Sequence, residues 1–223
     1  MEVIADSVED ALTIESCGAD RIELVSALSE GGVTPSLALV DQTVKAVALP
    51  VMVMIRPHAR SFCYSETDLS VMRRDIALAR EAGAAGVVLG CLNEEGLLAE
   101  KALGVLLEEC GGLEVTFHRA IDKAADPLET VRILRSYPRV KRVLTSGGQG
   151  AITENCELLR RMVSENGPKI LAGSGLTAEN IKEVIDASGV DEVHVGTAVR
   201  ELNSTFLPVE RRRLEELRRI LRG

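Results

Sequence analysis

The run Gly86-Val87-Val88-Leu89-Gly90-Cys91 decides the fold, together with the amphipathic stretch 100–110 and the second apolar run Glu114-Val115-Thr116-Phe117-His118-Arg119. Both apolar runs are short, as strands of a parallel sheet are, and the stretch between them spaces its apolar residues like a helix. A strand, a helix and another strand in that order require parallel pairing through a right-handed crossover. Working outward, the same unit recurs along the whole chain at intervals of about 25 to 30 residues. Strands are expected near 2–6, 21–25, 51–56, 86–91, 114–119, 141–146, 169–173 and 191–196. Helices are expected over 7–17, 36–47, 66–82, 100–110, 127–136, 151–166, 178–187 and 208–221.

Local signals support several of these boundaries. Ser65 ahead of Glu66 and Asp68 can cap the third helix, Asp126-Pro127 suits the start of the fifth, and Thr177 with Asn180 opens the seventh. Gly18, Gly83 and Gly189 each follow a helix, where a left-handed residue closes the last turn. Two architectures accommodate the alternation. An open doubly wound sheet usually has fewer strands and carries a Gly-x-Gly-x-x-Gly turn after the first, whereas here that strand ends Ala5-Asp6-Ser7. Eight units in 223 residues without a linker favour an α/β fold of one domain, a single (β/α)8 barrel over 1–223.

Composition narrows the function classes. Apolar residues make up 46% of the chain, yet there are only three Phe, two Tyr and no Trp, so the core must be aliphatic. The stacking platforms of nucleic-acid sites are missing, and the net charge of −8 supplies no field for phosphates, so no nucleic-acid partner is expected. No apolar run is long enough to cross a bilayer, and no basic-then-apolar leader opens the chain. Five scattered cysteines without a Cys-x-x-Cys pair read as free thiols, and the protein is expected in the cytoplasm.

Strand alternation then assigns faces. Glu114, Thr116 and His118 share one side of the fifth strand, Glu192 and His194 one side of the eighth, Arg21 and Glu23 one side of the second, and Met52, Met54 and Arg56 one side of the third. The expected inward set is Glu23, Arg56, Thr116, His118, Glu192 and His194. Such charges either neutralise one another as a buried network or form a site at the carboxyl ends of the strands. Three Gly-rich loops lie at that end: Ser29-Glu30-Gly31-Gly32, Thr145-Ser146-Gly147-Gly148 and Ala172-Gly173-Ser174-Gly175. They are either tight turns or, completed by Arg56, Arg60 and Arg119, a cradle for a small anion.

Several segments carry a family resemblance. Gly18-Ala19-Asp20-Arg21-Ile22-Glu23-Leu24, Glu30-Gly31-Gly32-Val33-Thr34-Pro35-Ser36, Ile55-Arg56-Pro57, Phe62-Cys63-Tyr64-Ser65, Thr116-Phe117-His118-Arg119-Ala120, Val143-Leu144-Thr145-Ser146-Gly147 and Glu192-Val193-His194 resemble the CutC family, in family order. The resemblance implies a cytoplasmic barrel, often a homo-oligomer, named for copper tolerance and homeostasis. It also implies Cu(I) binding, proposed for some relatives through cysteines of the first two strands. This sequence has Ile4 and Val25 there, and neither side chain ligates a metal. The stretch after His194 is shorter than in typical members.

Soft ligands elsewhere are Cys63, after the third strand, and Cys91, ending the fourth, with Met54 and His58 nearby. The alternative is that Cys63 belongs to a loop motif and Cys91 packs as a small hydrophobe. Cys17, Cys110 and Cys156 fall on helices as packing residues. Two functions therefore stand. One is a CutC-like copper homeostasis protein acting by metal binding or trafficking. The other is an enzyme on a small phosphorylated or carboxylated molecule, in which His118 or His194, tuned by Glu23, Asp122 or Glu192, moves a proton.

Overall fold

The computed structural model describes residues 1–222. Its strands are β1 (Glu2–Ala5), β2 (Arg21–Leu24), β3 (Val51–Met54), β4 (Gly86–Leu89), β5 (Glu114–Phe117), β6 (Val140–Thr145), β7 (Lys169–Gly173) and β8 (Glu192–Val195). All pair in parallel, and β8 returns to β1, so the sheet closes in sequence order. The helices are α1 (Val8–Ser16), α2 (Leu37–Ala46), α3 (Glu66–Glu81), α4 (Glu100–Glu109), α5 (Pro127–Leu134), α6 (Cys156–Ser164), α7 (Ile181–Ser188) and α8 (Arg211–Arg222). Among the described residues no helix is long and apolar enough to cross a membrane.

The expected start and stop signals act as their chemistry requires. Ser65 and Asp68 form a reciprocal capping box, and the Asp126 side chain accepts the Glu129 N–H ahead of a proline-led first turn. Three expected helices start later than their apolar periodicity indicates. Asn155 donates to the Ser146 and Gln149 carbonyls, binding the turn Ile152–Asn155 to the β6 loop, so α6 begins only at Cys156. Asn180 accepts the Thr177 N–H and donates to the Gly175 carbonyl, which delays α7 to Ile181. Residues before Arg211 stay extended because Val209 donates to Asp10 and bridges Arg200.

Alternation divides the buried side chains into two cores. Val3, Ile22, Val53, Val87, Leu89, Val115, Phe117, Val143, Ile170 and Val193 face the helices in one continuous cluster. Inside the ring a smaller cluster of Val25, Met52, Met54 and Val88 packs against Ile4 and Leu28. At the amino-terminal end of the barrel, charged side chains interlock: Arg142 donates to Glu114 (2.6 Å) and Glu192 (2.8 Å), and Arg21 to Glu192 (2.8 Å) and Glu2. Glu192 is therefore a floor residue held by two arginines, and it does not tune a histidine at the mouth. Its position at the start of β8 accounts for this. Near the opposite end the fully buried Arg200 ties the segment after β8 to α1 and β1, meeting Asp10 at 2.8 Å and Asp6 at 3.3 Å.

Gly86 marks how tightly the interior is filled. A Cβ there would stand 2.3 Å from Met52 Cε and 2.5 Å from the Glu114 carbonyl oxygen, and the latter is backbone of the paired strand. Gly86→Ala is expected to destabilise the barrel by about 1–3 kcal/mol through overpacking. A lower urea midpoint at unchanged m-value checks it.

Candidate functional site

A cavity of about 320 Å³ opens at the carboxyl ends of the strands. Its wall includes Glu23, Arg56, His118, Arg119, Asp122 and His194, so the mouth gathers residues from β2 and β8 and from the turns after β3 and β5. The barrel's own register accounts for the grouping. Glu2 pairs with His194 across the β1–β8 seam, and Ile4 pairs with Glu23 across β1–β2. Glu2, Glu23 and His194 thereby meet inside the ring, one turned from each of three adjacent strands.

Their geometry is that of an imidazole between two carboxylates. His194 Nδ1 lies 2.7 Å from Glu2 Oε1, and its Nε2 lies 3.7 Å from Glu23 Oε2. Burial opposes a charged ring, but the Glu23 and Glu2 carboxylates outweigh it and hold His194 above its ordinary pKa. Burial likewise opposes ionisation of Glu2, yet His194 and Arg21 together lower it to about 2. Glu23 has the weakest compensation. Burial, with the neighbouring Glu2 charge adding to it, pushes its carboxyl up to about 7 despite the pull of His194 and Arg21, and its Oε1 has no hydrogen-bond partner. A carboxyl that titrates near neutrality and keeps a free oxygen on a cavity wall has the properties of a general acid–base group.

His118 is a different kind of group. Its Nδ1 accepts the Ala120 N–H at 3.2 Å, and Phe62 and Phe117 pack on the ring at 5.0 Å and 6.2 Å between centroids. Burial, with the Arg56 charge adding to it, lowers its pKa to about 3, so the ring is neutral. Asp122 is fully engaged: Thr145 Oγ1, the Ser146 N–H and Oγ, and Arg119 Nε all donate to it. It positions the mouth without a lone pair left over for a proton transfer.

The expected anion cradle is only partly assembled. Ser174 and Gly175 reach the cavity wall, as does Arg119, whose side chain is 48% exposed. Thr145, Ser146 and Gly147 do not, because the two hydroxyls clamp Asp122 and the Gly147 N–H donates back to Thr145. Gly173 does not line the cavity, and a Cβ there would stand 2.6 Å from Leu144 Cδ1 and 3.1 Å from His194 Cβ. Arg56 lines the cavity but donates to the carbonyls of Glu30 (3.0 Å), Gly32 (2.9 Å) and Ala59 (3.3 Å), which holds the β2 loop in place. Arg60 is exposed on the loop after β3 and does not line the cavity.

Neither candidate metal-ligating cysteine reaches the mouth. Cys91 packs in the strand–helix core, donates to the Ala99 carbonyl, and burial pushes its thiol up to about 12. Cys63 is half-buried in a local turn with Ser61. Glu2, Lys123 and Phe62 are site residues that candidate selection from sequence missed. For Glu2 a signal existed, since it shares the inward face with Ile4.

A sequence model of the CutC family matches residues 1–199. The chain belongs to the CutC family. Among its relatives, the human copper homeostasis protein cutC homolog is 41% identical over 196 residues, covering 87% of this chain and 71% of the human protein. The family protein CutC of Proteus mirabilis is 42% identical over 207 residues, 92% of this chain and 82% of that one. In three dimensions the crystal structure of CutC from Streptococcus agalactiae matches with a TM-score of 0.82 at 29% identity, over 87% of this chain and 96% of that one. Phosphoribosyl anthranilate isomerase from Thermococcus kodakaraensis shares the fold, with a TM-score of 0.67 at 16% identity.

Copper is the metal this CutC family's naming brings to the site, and the donor set does not fit its reduced form. Cu(I) takes thiolate and thioether ligands, whereas the mouth offers carboxylates, imidazoles and the single thioether of Met54. Ile4 is on the cavity wall and Val25 is in the inner apolar cluster, with no ligating atom at either place. The ligand atoms of Glu2, Glu23 and His194 lie within 4.8 Å of one another. That carboxylate–imidazole set suits a borderline or hard divalent cation.

The Glu23 carboxyl sets a pH dependence. Its pKa is near 7 in the fold against an ordinary 4.5. Its contribution to stability is therefore fully present below the ordinary value and is lost as pH rises through about 7. Glu23→Gln keeps the shape and removes the titration. Urea unfolding of both proteins is expected to show the wild type losing stability relative to Glu23→Gln between about pH 5 and 8. A difference that stays flat with pH contradicts the raised value.

Proposed function

We propose that this CutC family member binds a small anionic metabolite at the mouth of the barrel and moves a proton on it, with Glu23 as the acid–base group. The observation that carries this reading is the buried Glu23 carboxyl, poised near neutrality, with one oxygen unpartnered on the cavity wall. Glu2 stays ionised and raises the Glu23 carboxyl while the His194 imidazolium lowers it, and this balance lets Glu23 take up and release the proton. Arg119, at the exposed rim, provides the cationic contact for the metabolite's phosphate or carboxylate, beside Ser174 and Gly175. Five free cysteines support placing this chemistry in the reducing cytoplasm.

A copper role is the second reading. Its support is the name carried by the human and mouse relatives, and Met54 on the cavity wall. It would operate through a site other than the family's proposed cysteine positions on the first two strands, which are Ile4 and Val25 here.

A thermal-shift screen of small phosphorylated and carboxylated metabolites tests the first reading. A ligand at a hundred times its Kd adds about 2.7 kcal/mol, which raises Tm by about 5–10 °C in a chain of this size. The expected result is at least one such anion, with a shift that depends on pH around neutrality in the wild type and not in Glu23→Gln. Anaerobic titration with Cu(I) is expected to show no stoichiometric site, before or after Cys63→Ser and Cys91→Ser. Tight one-to-one Cu(I) binding abolished by those substitutions would favour the second reading.

A further inference from the structure

The proton-transfer reading leaves one group in the mouth unused. His118 is 3% exposed, its ring forms part of the cavity wall, and its Nε2 has no hydrogen-bond partner. A buried N–H left without an acceptor is a standing cost to the fold. Such a group commonly marks a position completed by a ligand.

The ring's tautomer is fixed by its surroundings. Because Nδ1 accepts the Ala120 N–H, the single proton of the neutral ring is on Nε2. Phe62 and Phe117 pack on the ring, and Gly90 gives it room: a Cβ at Gly90 would stand 2.6 Å from Nδ1. The ring is thus seated as a rigid, uncharged donor. Arg56 lies beside the same packing, 4.9 Å above the Phe62 ring, and its Nε is also unpartnered.

A neutral donor of this kind is a poor base and gives no full charge to anchor an anion. It suits an oxygen that gains negative charge during the reaction, such as a carbonyl becoming an enolate. Glu23 lines the same cavity with its Oε1 unpartnered, and a carboxylate base with a neutral imidazole donor is a known arrangement for enolisation.

We propose that the substrate is a small carbonyl compound with a hydrogen on the adjacent carbon, its carbonyl oxygen seated on His118 Nε2–H and that carbon facing Glu23. The inference rests on the proton-transfer reading of Glu23 and specifies what is transferred. Glu23, as carboxylate, removes the α-hydrogen as a proton. The C–H electron pair forms the carbon–carbon double bond, and the carbonyl π pair moves onto oxygen, where His118 Nε2–H and the Arg56 charge stabilise it. Return of the proton to the same or the neighbouring carbon gives exchange or isomerisation. No oxidant or reductant is required.

The probe is oxalate, a planar mimic of a carboxylated enolate, observed through the His118 signals of the full-length protein labelled with nitrogen-15 in histidine. The expected free-state signal is a neutral ring protonated on Nε2, persisting to about pH 4, with the Nε2 proton moving downfield when oxalate binds. A His118 ring protonated on Nδ1, or left unmoved by bound oxalate, overturns the proposal. In heavy water, pyruvate, 2-oxoglutarate and dihydroxyacetone phosphate are followed by proton NMR for loss of the α-hydrogen signal. Exchange of at least one faster than in buffer is expected, lost in Glu23→Gln and slowed about 100-fold in His118→Phe, with partial recovery in His118→Gln, which restores an N–H donor.

The two readings fail separately. If inorganic phosphate binds in a manner dependent on Glu23 while oxalate does not bind and no carbonyl compound exchanges, the carbonyl assignment falls and the anion site stands. If no anion binds and Glu23→Gln changes nothing, both fall. The histidine spectrum is read on the wild type, so a variant that fails to fold does not obscure the outcome.

Discussion

The hydrogen bond from His194 to Glu2 joins the last strand to the first, and the chemistry of the mouth depends on it. Neither residue is placed by its own sequence neighbourhood. Glu2 becomes a partner for His194 only because the sheet closes, and closure is set by the eight short parallel strands and the helices that cover them. Once Glu2 is held low by its two cations, it fixes a positive imidazole beside Glu23, and the Glu23 carboxyl becomes the one member of the group without a settled charge. The member of the group free to change its protonation is thus the one that the electrostatics leave undecided.

The barrel separates its buried charges by height. At the floor, Arg21 and Arg142 bind Glu192, Arg142 also binds Glu114, and Arg21 reaches up to Glu2, an arrangement that orders the strand ends. Near the mouth, donors and acceptors are left incomplete at Glu23, His118 and Arg56. Buried polar groups are almost always satisfied in folded proteins, and of the nine unpartnered side-chain atoms among the described residues three belong to this one cavity wall and none to the floor network. Arg21 links the two levels: it helps neutralise the floor and also pulls on the Glu23 carboxyl.

Much of the architecture was legible in the sequence because it is periodic. Alternating apolar runs and amphipathic helices gave eight units, and strand alternation put Glu23, Arg56, His118 and His194 on the inner face, where the structure has them. What periodicity does not carry is height along the barrel and hydrogen-bond occupancy. Glu192 and His194 share a face, yet one belongs to the floor and the other to the mouth. Arg56 and the Thr145-Ser146-Gly147 loop have the composition of an anion cradle, but the partners they hold are carbonyls and Asp122, reached from distant segments. Arg60 is exposed where a cavity residue was expected, because no strand fixes its direction. Cys91 follows its strand's alternation to the helix side, which removes it from the mouth for a reason visible in principle from Val87 and Leu89.

The seam between the first and last strands has a consequence for how the molecule comes into being. During synthesis His194 follows Glu2 only after nearly all the other strands, so the nascent chain carries a carboxylate whose imidazole partner does not yet exist. Any product of early termination or proteolysis that lacks the eighth strand holds Glu2 without its imidazole and Glu23 without its neighbour. Partial chains should accordingly lack the assembled Glu2–His194–Glu23 cluster, which only the closed barrel holds.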